Sequence, residues 1–392
     1  MNNRIIFHID VNSAFLSWEA VYRLKNGEKQ DIRTIPSAIG GSEKERHGII
    51  LAKSIPAKAF GIKTAETIFS AVKKCPNLLV ISPTFKIYSK YSKCMMNILK
   101  RYTSVIEKFS IDECFLEFSN VHDPVKLAHE IKDTIKNELG FTVNIGISSN
   151  KLLSKMASDF EKPDKVHTLF KDEIQKKMWH LPVKDLFMVG KVTASKLNNL
   201  GIFTIGDLAK YDRDILKSKF KSYGIMLVNY ANGIDDSKIC TKQESDVKGI
   251  GNSTTISYDI TDKEKAYKIL LSLAENVSQR LRNCEKYCRV VCVTIKTSQF
   301  IVYSRQRKLS FDTDCTDQII KVVKELFDEA WKGEPIRLLG VRVSQLTTNE
   351  IHQISMFEDK NIQKNKKIDK VVDELRNKYG SEIIKRSIFL KK

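Results

Sequence analysis

The chain has 392 residues, and 66 Lys and Arg against 47 Asp and Glu give it a formal net charge of +19. This length allows about two to four domains, and the basic excess favours nucleic acid or an anionic membrane surface as partner. No apolar run suits a transmembrane span or a signal peptide, so we expect a cytoplasmic protein that does not bind membranes.

Eight cysteines are scattered along the chain. Without an expected export signal, they are interpreted as reduced thiols. Cys284, Cys288 and Cys292 come closest to a cluster. Structural zinc sites favour close Cys pairs and four ligands, so zinc is not expected.

Strand and helix patterns alternate in the first part of the chain. An apolar run ends at Asp10, and the polar residues 30–50, with a break at Gly40-Gly41, indicate a loop. A strand that ends in an acidic residue within such an alternation indicates an α+β sheet domain. The predicted strands cover residues 4–10, 109–118 and 141–148, and the predicted helices cover 12–24, 86–101 and 124–138.

Residues 171–236 are predicted to be helical, and Gly190 stands before a helix, a tight turn and another helix. Such a unit suits backbone N–H contacts to a phosphate. A linker near 235–247 leads to a second, smaller α+β pattern. Its predicted strands cover 251–258, 290–297 and 337–344, and its predicted helices cover 262–283 and 315–330. A solvated basic run at 360–367 follows this domain. It precedes a short amphipathic helix with the apolar residues Ile368, Val371, Val372 and Leu375.

Three carboxylates, on Asp10, Asp112 and Glu113, lie at the ends of two predicted strands. Carboxylates gathered in a basic chain indicate a divalent-metal site, and together with a basic surface they predict metal-assisted phosphoryl chemistry on nucleic acid. Neighbouring residues of a regular strand face opposite ways, so Asp112 and Glu113 can both reach a metal only if the strand bends. The alternative is a solvated turn that carries Asp-Glu.

Several segments, in this order, resemble the Y-family, or translesion, DNA polymerases across residues 4–358. The strongest are Asp10-Val11-Asn12-Ser13-Ala14-Phe15, then Ser110-Ile111-Asp112-Glu113, then residues 144–151 followed by Lys162-Pro163. They are most similar to the single-chain bacterial members, and Asp10-Val11-Asn12 is also similar to the catalytic subunit of polymerase V. The resemblance implies a multi-domain α+β fold of the right-hand polymerase type. It assigns 1–20 and 85–170 to an α+β palm, 21–84 to small fingers, 171–236 to a helical thumb with a helix-hairpin-helix, 237–247 to a linker, 248–349 to an α+β little finger and 350–392 to a tail.

The resemblance also implies a DNA-templated DNA polymerase that adds deoxynucleotides to a primer 3′ end with low fidelity, in damage bypass and repair. By resemblance, Asp10 and Asp112 bridge two Mg²⁺ ions, for which Mn²⁺ can substitute, and Glu113 completes the ion that activates the hydroxyl. Mg²⁺ prefers hard oxygen ligands and keeps several waters, so a few carboxylates and the Val11 carbonyl suffice.

The start of the helix after Asp10 is expected to bind the nucleotide through the free N–H groups of Val11, Asn12, Ser13, Ala14 and Phe15. Phe15 matches the family's sugar-selecting aromatic, which excludes ribonucleotides by steric clash with the 2′ hydroxyl. The alternative is that Phe15 packs in the core with Leu16 and Trp18. The family often has another aromatic where this chain has Ala14.

In the fingers the family usually offers a Tyr and an Arg to the triphosphate, whereas this chain has Ile55 and Lys58. Either Ser54 takes over from the phenol or nucleotide binding is weaker. Lys58 can supply positive charge without the bidentate fork of Arg. Lys162 is expected to reach the β- and γ-phosphates. For both lysines the alternative is a solvated surface charge.

Three further segments are expected to bind DNA or a protein partner. The hairpin at 188–193 has Met188 where the family has glycine, so we expect distortion there. Solvated strand edges are the alternative to DNA contacts in the little finger, and a capping segment is the alternative to a peptide that binds the β sliding clamp. The predicted DNA contacts are Gly190, Lys191, Thr193, Lys248, Gly249, Gly251, Ser253, Thr254, Arg305 and Arg307, and the predicted clamp peptide is Gln353-Ile354-Ser355-Met356-Phe357.

Two other functions remain open from the residues alone. A metal-dependent nuclease would use the same carboxylates, but it gives no reason for Phe15 or Lys162-Pro163. A non-catalytic module that binds DNA and the clamp would not need the carboxylates. The predicted partners are primer–template DNA, deoxynucleoside triphosphates and the clamp, and we expect a monomer.

Overall fold

The computed structural model describes residues 4–41, 48–241, 247–348, 360–380 and 382–389. The chain divides into two compact units. The first comprises Met1–Gly41 and Ile49–Ser245, and the second comprises Ser42–Gly48 and Asp246–Lys392. None of the described helices is both long and apolar enough to cross a membrane. No disulfide joins any of the eight cysteines, all of which lie in the described ranges.

The first unit is built around a mainly antiparallel five-stranded sheet with β1 at its centre. Phe7, Ile9 and Val11 of β1 face a core formed with three helices, α1, α4 and α5. His8 points to the other face, where its Nδ1 lies 2.7 Å from the hydroxyl of Ser158 in a fourth helix, α6. The strand order is β5 (Ile106–Lys108), β6 (Glu113–Ser119), β1 (Arg4–Val11), β7 (Val143–Ser148) and β8 (Val166–Thr168), and the helices are α1 (Ala14–Lys25), α4 (Phe85–Leu99), α5 (Pro124–Leu139) and α6 (Lys151–Ser158).

The expectation of a loop over residues 30–50 is wrong in part. Ser37–Gly40 forms a strand, β2, which pairs antiparallel with β3 (Ile50–Lys53) and parallel with β4 (Leu79–Ile81). Its Ala38 and Ile39 are fully buried, but four residues are too few for a periodic pattern to stand out in the sequence. Two short helices, α2 (Ile55–Ala59) and α3 (Ile68–Lys74), and a 3₁₀ turn at Ile32–Thr34 complete this region.

The predicted strand at 109–118 begins later than expected, because residues 109–112 form a turn. The Ser110 hydroxyl accepts hydrogen bonds from the N–H groups of Asp112 (3.2 Å) and Glu113 (3.0 Å). Phe109 N–H also folds back to the Glu113 carbonyl at 3.0 Å. The bend required for Asp112 and Glu113 to avoid opposite faces is therefore present.

The last part of the first unit is helical, as predicted. Its helices pack around a core that includes Leu197, Ile205 and Leu227. Met188 has a left-handed backbone with φ of 75°, the conformation that glycine adopts without strain. Its carbonyl accepts a hydrogen bond of 2.7 Å from the Tyr223 hydroxyl, so the turn before α8 forms without a glycine there. The helices are α7 (Ile174–Lys177), α8 (Lys191–Asn198), α9 (Ile205–Lys210), α10 (Arg213–Phe220) and α11 (Ser222–Ala231).

The second unit contains a four-stranded antiparallel sheet with two helices on one face, as predicted for an α+β domain. Val291, Val293 and Leu339 of the sheet and Leu270 and Val323 of the helices belong to its core. The sequence analysis missed most of one strand, β11. The strand order is β11 (Val302–Thr313), β10 (Tyr287–Thr297), β12 (Ile336–Thr347) and β9 (Gly249–Ile260), and the helices are α12 (Lys263–Asn283) and α13 (Thr316–Ala330).

The predicted basic run at 360–367 belongs to a long helix, α14 (Lys360–Tyr379), which begins earlier than predicted, and Gln363, Lys364 and Lys367 in it are exposed to solvent, as expected. This helix is held on the second unit by charge pairs. The Arg282 guanidinium of α12 contacts Asp373 at 2.6 Å and Asp369 at 3.2 Å. Asp369 also accepts the N–H of Thr316, the first residue of α13, at 2.8 Å. The helix thus packs on the sheet domain through acidic residues that the sequence pattern did not indicate.

Candidate functional site

A pocket of about 250 Å³ lies in the first unit, where β1 ends and the chain turns into α1. Asp10, Val11, Ser13, Ala14 and Phe15 line it from the β1–α1 turn. Asp112 lines it from the turn before β6, and Lys53 and Thr64 line it from the β3 region. The structure therefore brings two of the three predicted carboxylates, the helix start and the predicted sugar-selecting aromatic to one cavity.

Asp10 is buried, with 9% of its surface exposed, and it forms an ion pair with Lys162. Burial raises the pKa of its carboxyl to about 6, although the charge and hydrogen bond of Lys162 act in the opposite direction. Lys162 also contacts Asp159 at 2.7 Å. A positive charge therefore already lies beside the carboxylate where the sequence predicts a metal.

Asp112 and Glu113 are held at the neighbouring strand end. The Asp112 carboxylate accepts the Ser110 hydroxyl at 2.5 Å, and its carbonyl accepts the Val11 N–H at 3.1 Å. Glu113 lies directly opposite Asp10 in the pairing of β1 with β6, and it accepts the Lys155 ammonium at 2.8 Å. The backbone thus places all three residues at the same end of the neighbouring strands β1 and β6.

The three carboxylates do not converge in this structure. Across the described residues, no three Asp, Glu, His or Cys side chains are gathered closely enough to hold a metal. Asp10 and Asp112, which share the pocket, offer the hard oxygen donors that Mg²⁺ prefers. Glu113 adjoins them but is engaged by Lys155. The donor set fits a divalent cation at Asp10 and Asp112, and it includes Glu113 only if that side chain turns away from Lys155.

The expectation of free N–H groups from Val11 to Phe15 is wrong for the first two residues. The Val11 N–H donates to Asp112 and the Asn12 N–H to the Thr142 carbonyl at 3.0 Å. The Asn12 side chain is also occupied, because it donates to Asn144 (3.0 Å) and accepts from Asp164 N–H (2.9 Å). The first helical hydrogen bond joins Ser17 N–H to Ser13, which leaves the N–H groups of the first turn for a ligand.

Phe15 combines the two alternatives considered for it. Its ring stacks on Tyr88 at 5.0 Å with an interplanar angle of 14°, and Phe85 and Trp18 contact it at 5.8 and 6.1 Å. It nevertheless lines the pocket and is only partly buried. Tyr88 is itself fixed, since its hydroxyl donates to buried Glu19 at 2.9 Å. The aromatic packing holds the ring in place while leaving part of it to the cavity.

Ser54 cannot replace the missing phenol, which corrects the expectation for that residue. Its hydroxyl is buried, donates to Ile35, and accepts the N–H groups of Ala57 and Ser37 at 3.1 Å each. It is therefore the N-cap of α2. Lys58 is exposed and does not line the pocket.

Lys53 is a pocket residue that the sequence analysis missed. Its ammonium donates to Thr64 at 3.1 Å, and burial lowers its pKa, with a further contribution from the Lys58 charge. Leu51 and Lys53 share one face of β3 and both line the cavity. The sequence gives no clear signal for this role, because Ile50–Lys53 has four residues and no alternation of polar and apolar side chains.

Asn144 is a second residue whose role the sequence did not show. It is fully buried beside Asp10 in the pairing of β1 with β7. Its amide donates to the carbonyls of Ser158 (3.0 Å) and Glu161 (2.6 Å), and its oxygen accepts the Lys165 N–H (3.2 Å). These bonds fix the loop that carries Lys162 against the end of β1.

The predicted DNA contacts in the first unit cluster at the start of α8. Gly190 is the N-cap of that helix, and a Cβ built on it would meet no atom within 4 Å. Lys191 is exposed and Thr193 partly buried. The backbone at this turn is therefore accessible to a phosphate.

The second unit separates its predicted DNA contacts between two faces. In the strand pairing, Arg305 and Arg307 lie beside the core residues Val293 and Val291, so they belong to the helix side of the edge strand. Arg307 forms ion pairs with Glu325 and Glu329 of α13. Thr254 of β9 also lies on the helix side of the sheet, because it pairs with the core residue Leu339. Arg307 is therefore already paired within the unit, and its contact with DNA stays a prediction.

The open face of that sheet carries a different set of polar residues. Gly251 lies next to Arg342, and Ser253 lies next to Gly340, in the pairing of β9 with β12. Lys248 is exposed just before β9. The residues that the strand register places on this open face include Gly249, Gly251, Ser253, Thr294, Ser304, Gln306, Lys308, Gly340, Arg342 and Ser344. The predicted clamp peptide, residues 353–357, lies outside the described residues.

Three family descriptions match the chain in order. The impB/mucB/samB family matches residues 9–159, the IMS family HHH motif matches 171–202, and the C-terminal domain of the impB/mucB/samB family matches 247–356.

Whole-length relatives agree with these matches. The chain is 55% identical over 393 residues to a DNA polymerase IV of Clostridium acetobutylicum, covering 100% of this chain and 99% of the relative. It is 38% identical to a DNA polymerase IV of Acetivibrio thermocellus, covering 99% and 98% of the two chains. A solved Y-family DNA polymerase chimera matches with a TM-score of 0.76 at 22% identity, covering 88% of this chain and 100% of the chimera.

Proposed function

Since the chain belongs to the Y-family of translesion DNA polymerases and is a DNA-directed DNA polymerase of the polymerase IV type, we propose that its pocket adds deoxynucleotides to a primer 3′ end. The observation that carries this proposal is the joint lining of one cavity by Asp10, Asp112, Phe15 and the first turn of α1. Acidic, sugar-contacting and phosphate-binding groups are thereby available to one nucleotide.

Y-family polymerases depend on a divalent metal, and we assign two Mg²⁺ ions, or Mn²⁺ in their place, to Asp10, Asp112, Glu113 and the Val11 carbonyl. When bound, such ions make the primer hydroxyl nucleophilic and neutralise the leaving pyrophosphate. The protein contributes Asp10 in a buried position and Asp112 held by the Ser110 hydroxyl. Glu113 joins them after its carboxylate turns from Lys155.

The nucleotide is held by the elements around these carboxylates. The N–H groups of Ser13, Ala14 and Phe15 bind the triphosphate at the positive end of the α1 dipole. Lys162 pairs with Asp10 and does not itself line the pocket, and it can exchange that carboxylate for a phosphate, while Lys53 supplies a further charge from the pocket lining. The ring of Phe15 excludes a 2′ hydroxyl by contact.

DNA is gripped by its backbone, without sequence readout. The turn at Gly190 offers backbone N–H groups, with Lys191 and Thr193 beside it. The open face of the second unit offers Ser253 and Arg342 to phosphate oxygens. Residues 353–357 bind the β sliding clamp in this proposal, and the protein acts as a cytoplasmic monomer.

A defined primer–template separates polymerisation from the nuclease alternative. The protein is incubated with Mg²⁺ and each deoxynucleotide singly, and product length is read on a denaturing gel. Extension by the templated nucleotide supports the proposal, whereas shortening of the primer supports a nuclease. Repeating the reaction across a lesion, with and without the β clamp, tests translesion synthesis and the clamp peptide.

A further inference from the structure

Lys155 is a buried cation that the proposed function does not use. It lies in α6, is 9% exposed, and its ammonium contacts Glu113 at 2.8 Å. Two aromatic rings enclose it, Phe109 at 5.2 Å and Phe187 at 5.5 Å. It is not among the residues that line the pocket. Its charge is therefore directed at Glu113, away from bulk solvent.

The helix that carries Lys155 is closely packed against β7 and against Phe187. This helix lies so close to β7 that a Cβ on Gly146 would meet the Ser154 carbonyl oxygen at 1.9 Å. The Phe187 N–H donates to the sulfur of Met156, the next residue, at 3.4 Å, and the Phe187 ring stacks on Tyr230. If Glu113 moves away, this packing keeps the Lys155 ammonium in place. The more exposed Lys162 side chain has room to move toward a phosphate.

Lys162 and Lys155 therefore differ in how far their side chains are exposed to solvent. Lys162 has 35% of its side chain exposed, whereas Lys155 has 11%. Asp10 and Glu113 face each other across β1 and β6, so in the absence of other cations their like charges need neutralisation. A cation that stays beside Glu113 competes with any metal that this carboxylate would bind.

We propose that Lys155 is a positioning residue that holds Glu113 in the metal-free enzyme and competes with the divalent ion for that carboxylate, and that the Phe187 ring strengthens this competition. The inference rests on the proposed function, because it takes Glu113 to be a metal ligand.

Binding of Mn²⁺ alone tests this inference, measured by the loss of the free-ion electron paramagnetic resonance signal with no DNA or nucleotide present. Lys155→Met keeps the length and the apolar stem of the side chain. We expect it to tighten Mn²⁺ binding roughly fivefold or more, the effect of losing one poorly solvated ion pair. Lys151→Met is the matched control, because Lys151 lies one turn earlier, pairs with Glu107 at 2.8 Å and contacts the Phe115 ring.

Removing one positive charge could tighten Mn²⁺ binding in a general way, without any competition for Glu113. Repeating Lys155→Met in a Glu113→Gln background separates the two effects. The inference predicts that the gain in affinity disappears there, and that Lys151→Met changes nothing in either background. An equal gain in both backgrounds, or no gain in the wild-type background, overturns it.

A second variant keeps the test decisive if Lys155→Met fails to fold, as judged by circular dichroism. Phe187→Leu removes one ring face and leaves the Lys155–Glu113 pair intact, so a smaller tightening of Mn²⁺ binding is expected. Unchanged or weaker binding in a folded Phe187→Leu protein contradicts the role of the ring. Failure of the proposed function is seen separately, as absence of primer extension by the wild-type protein.

Discussion

Asp10 is buried where a metal ligand is needed, and burial of its charged carboxylate lowers the stability of the fold. Burial raises the pKa of its carboxyl to about 6, from an ordinary value of 3.8. Without a bound cation the folded state therefore binds a proton more tightly than the unfolded chain does, so this residue lowers stability progressively as the pH rises from 3.8 to about 6, and the loss is complete above that range. Lys162 offsets part of that cost by forming an ion pair. A bound cation would also offset this cost, because it stabilises the charged form of the Asp10 carboxylate, which is the form that binds metal.

Phe15→Ala tests selection of the sugar. The ring lines the pocket and is braced by Tyr88 behind it, so its removal opens space where the 2′ hydroxyl would lie. We expect the preference for deoxynucleotides over ribonucleotides, measured as a ratio of kcat/KM in primer extension, to fall by roughly a hundredfold. Phe69→Ala, at a ring that is 64% exposed on α3, is the control. Equal discrimination before and after the Phe15 change would refute the gate.

Individual residues show what a sequence can and cannot predict about this site. Asp10, Asp112 and Phe15 meet at one pocket because short motifs place them at strand ends and a helix start. The ion pairs of Arg307 with Glu325 and Glu329 could not be predicted, because these residues are distant in the chain and become neighbours only when α13 packs on the sheet. Of the two alternatives for the missing phenol, the structure favours weaker nucleotide binding, because the Ser54 hydroxyl caps α2 and the sequence alone does not show that contact.

The contact of α6 with β7 is the element-scale feature that positions the site. Gly146 permits it, because a side chain there would overlap the Ser154 carbonyl and also reach the Ser158 N–H within 2.4 Å. The same close approach brings Ser158 to His8 and places Lys155 beside Glu113. One glycine thus determines how closely the lysine-bearing helix approaches the carboxylate strands.

Gly146→Ala should destabilise the first unit by about 3 kcal/mol, because backbone atoms on both elements would have to move. Urea unfolding followed by circular dichroism measures the change. Gly190→Ala is the matched control, since a Cβ there meets nothing within 4 Å, and loss of a glycine N-cap costs under about 1 kcal/mol. Similar losses for both variants would contradict the close-approach argument.

Elements with long periodic patterns were predicted well, and short ones were not. The helix predicted at 262–283 corresponds to α12, Lys263–Asn283, whose 21 residues give a clear apolar stripe. The strands β2 and β4 have four and three residues and are defined by pairing within a small sheet, in which β2 lies between β3 and β4. The predicted division into palm, fingers, thumb and little finger stays a prediction at its boundaries.

At the scale of the whole molecule, the excess of positive charge agrees with a polymerase that must hold DNA without reading its sequence. The α+β right-hand class was predictable from the order of its motifs, and it is confirmed by the likeness in fold to a Y-family polymerase chimera. The net charge of +19 indicates a polyanion but does not say which face binds it. Strand register divides the second unit into two faces, since alternate residues of β11 face opposite sides, and we propose the open face as the one that binds DNA.

DNA affinity should therefore depend steeply on salt. If about six phosphates are contacted, the dissociation constant rises roughly a thousandfold between 50 and 200 mM monovalent salt. Fluorescence anisotropy of a labelled primer–template measures it. Arg342→Gln, on the open face, should reduce the salt slope by about one phosphate contact, whereas Arg307→Gln should leave it nearly unchanged. The reverse ranking would show that the helix side binds DNA.

Primer extension by Asp112→Ala, measured beside DNA binding by the same protein, tests the central claim most directly. We expect extension with Mg²⁺ to fall below about a thousandth of wild type, because a carboxylate of the metal site is lost, while DNA affinity is kept. Asp133→Ala, at an exposed carboxylate on α5, should leave both unchanged. Unchanged synthesis by Asp112→Ala would show that the pocket at the end of β1 is not where nucleotides are added.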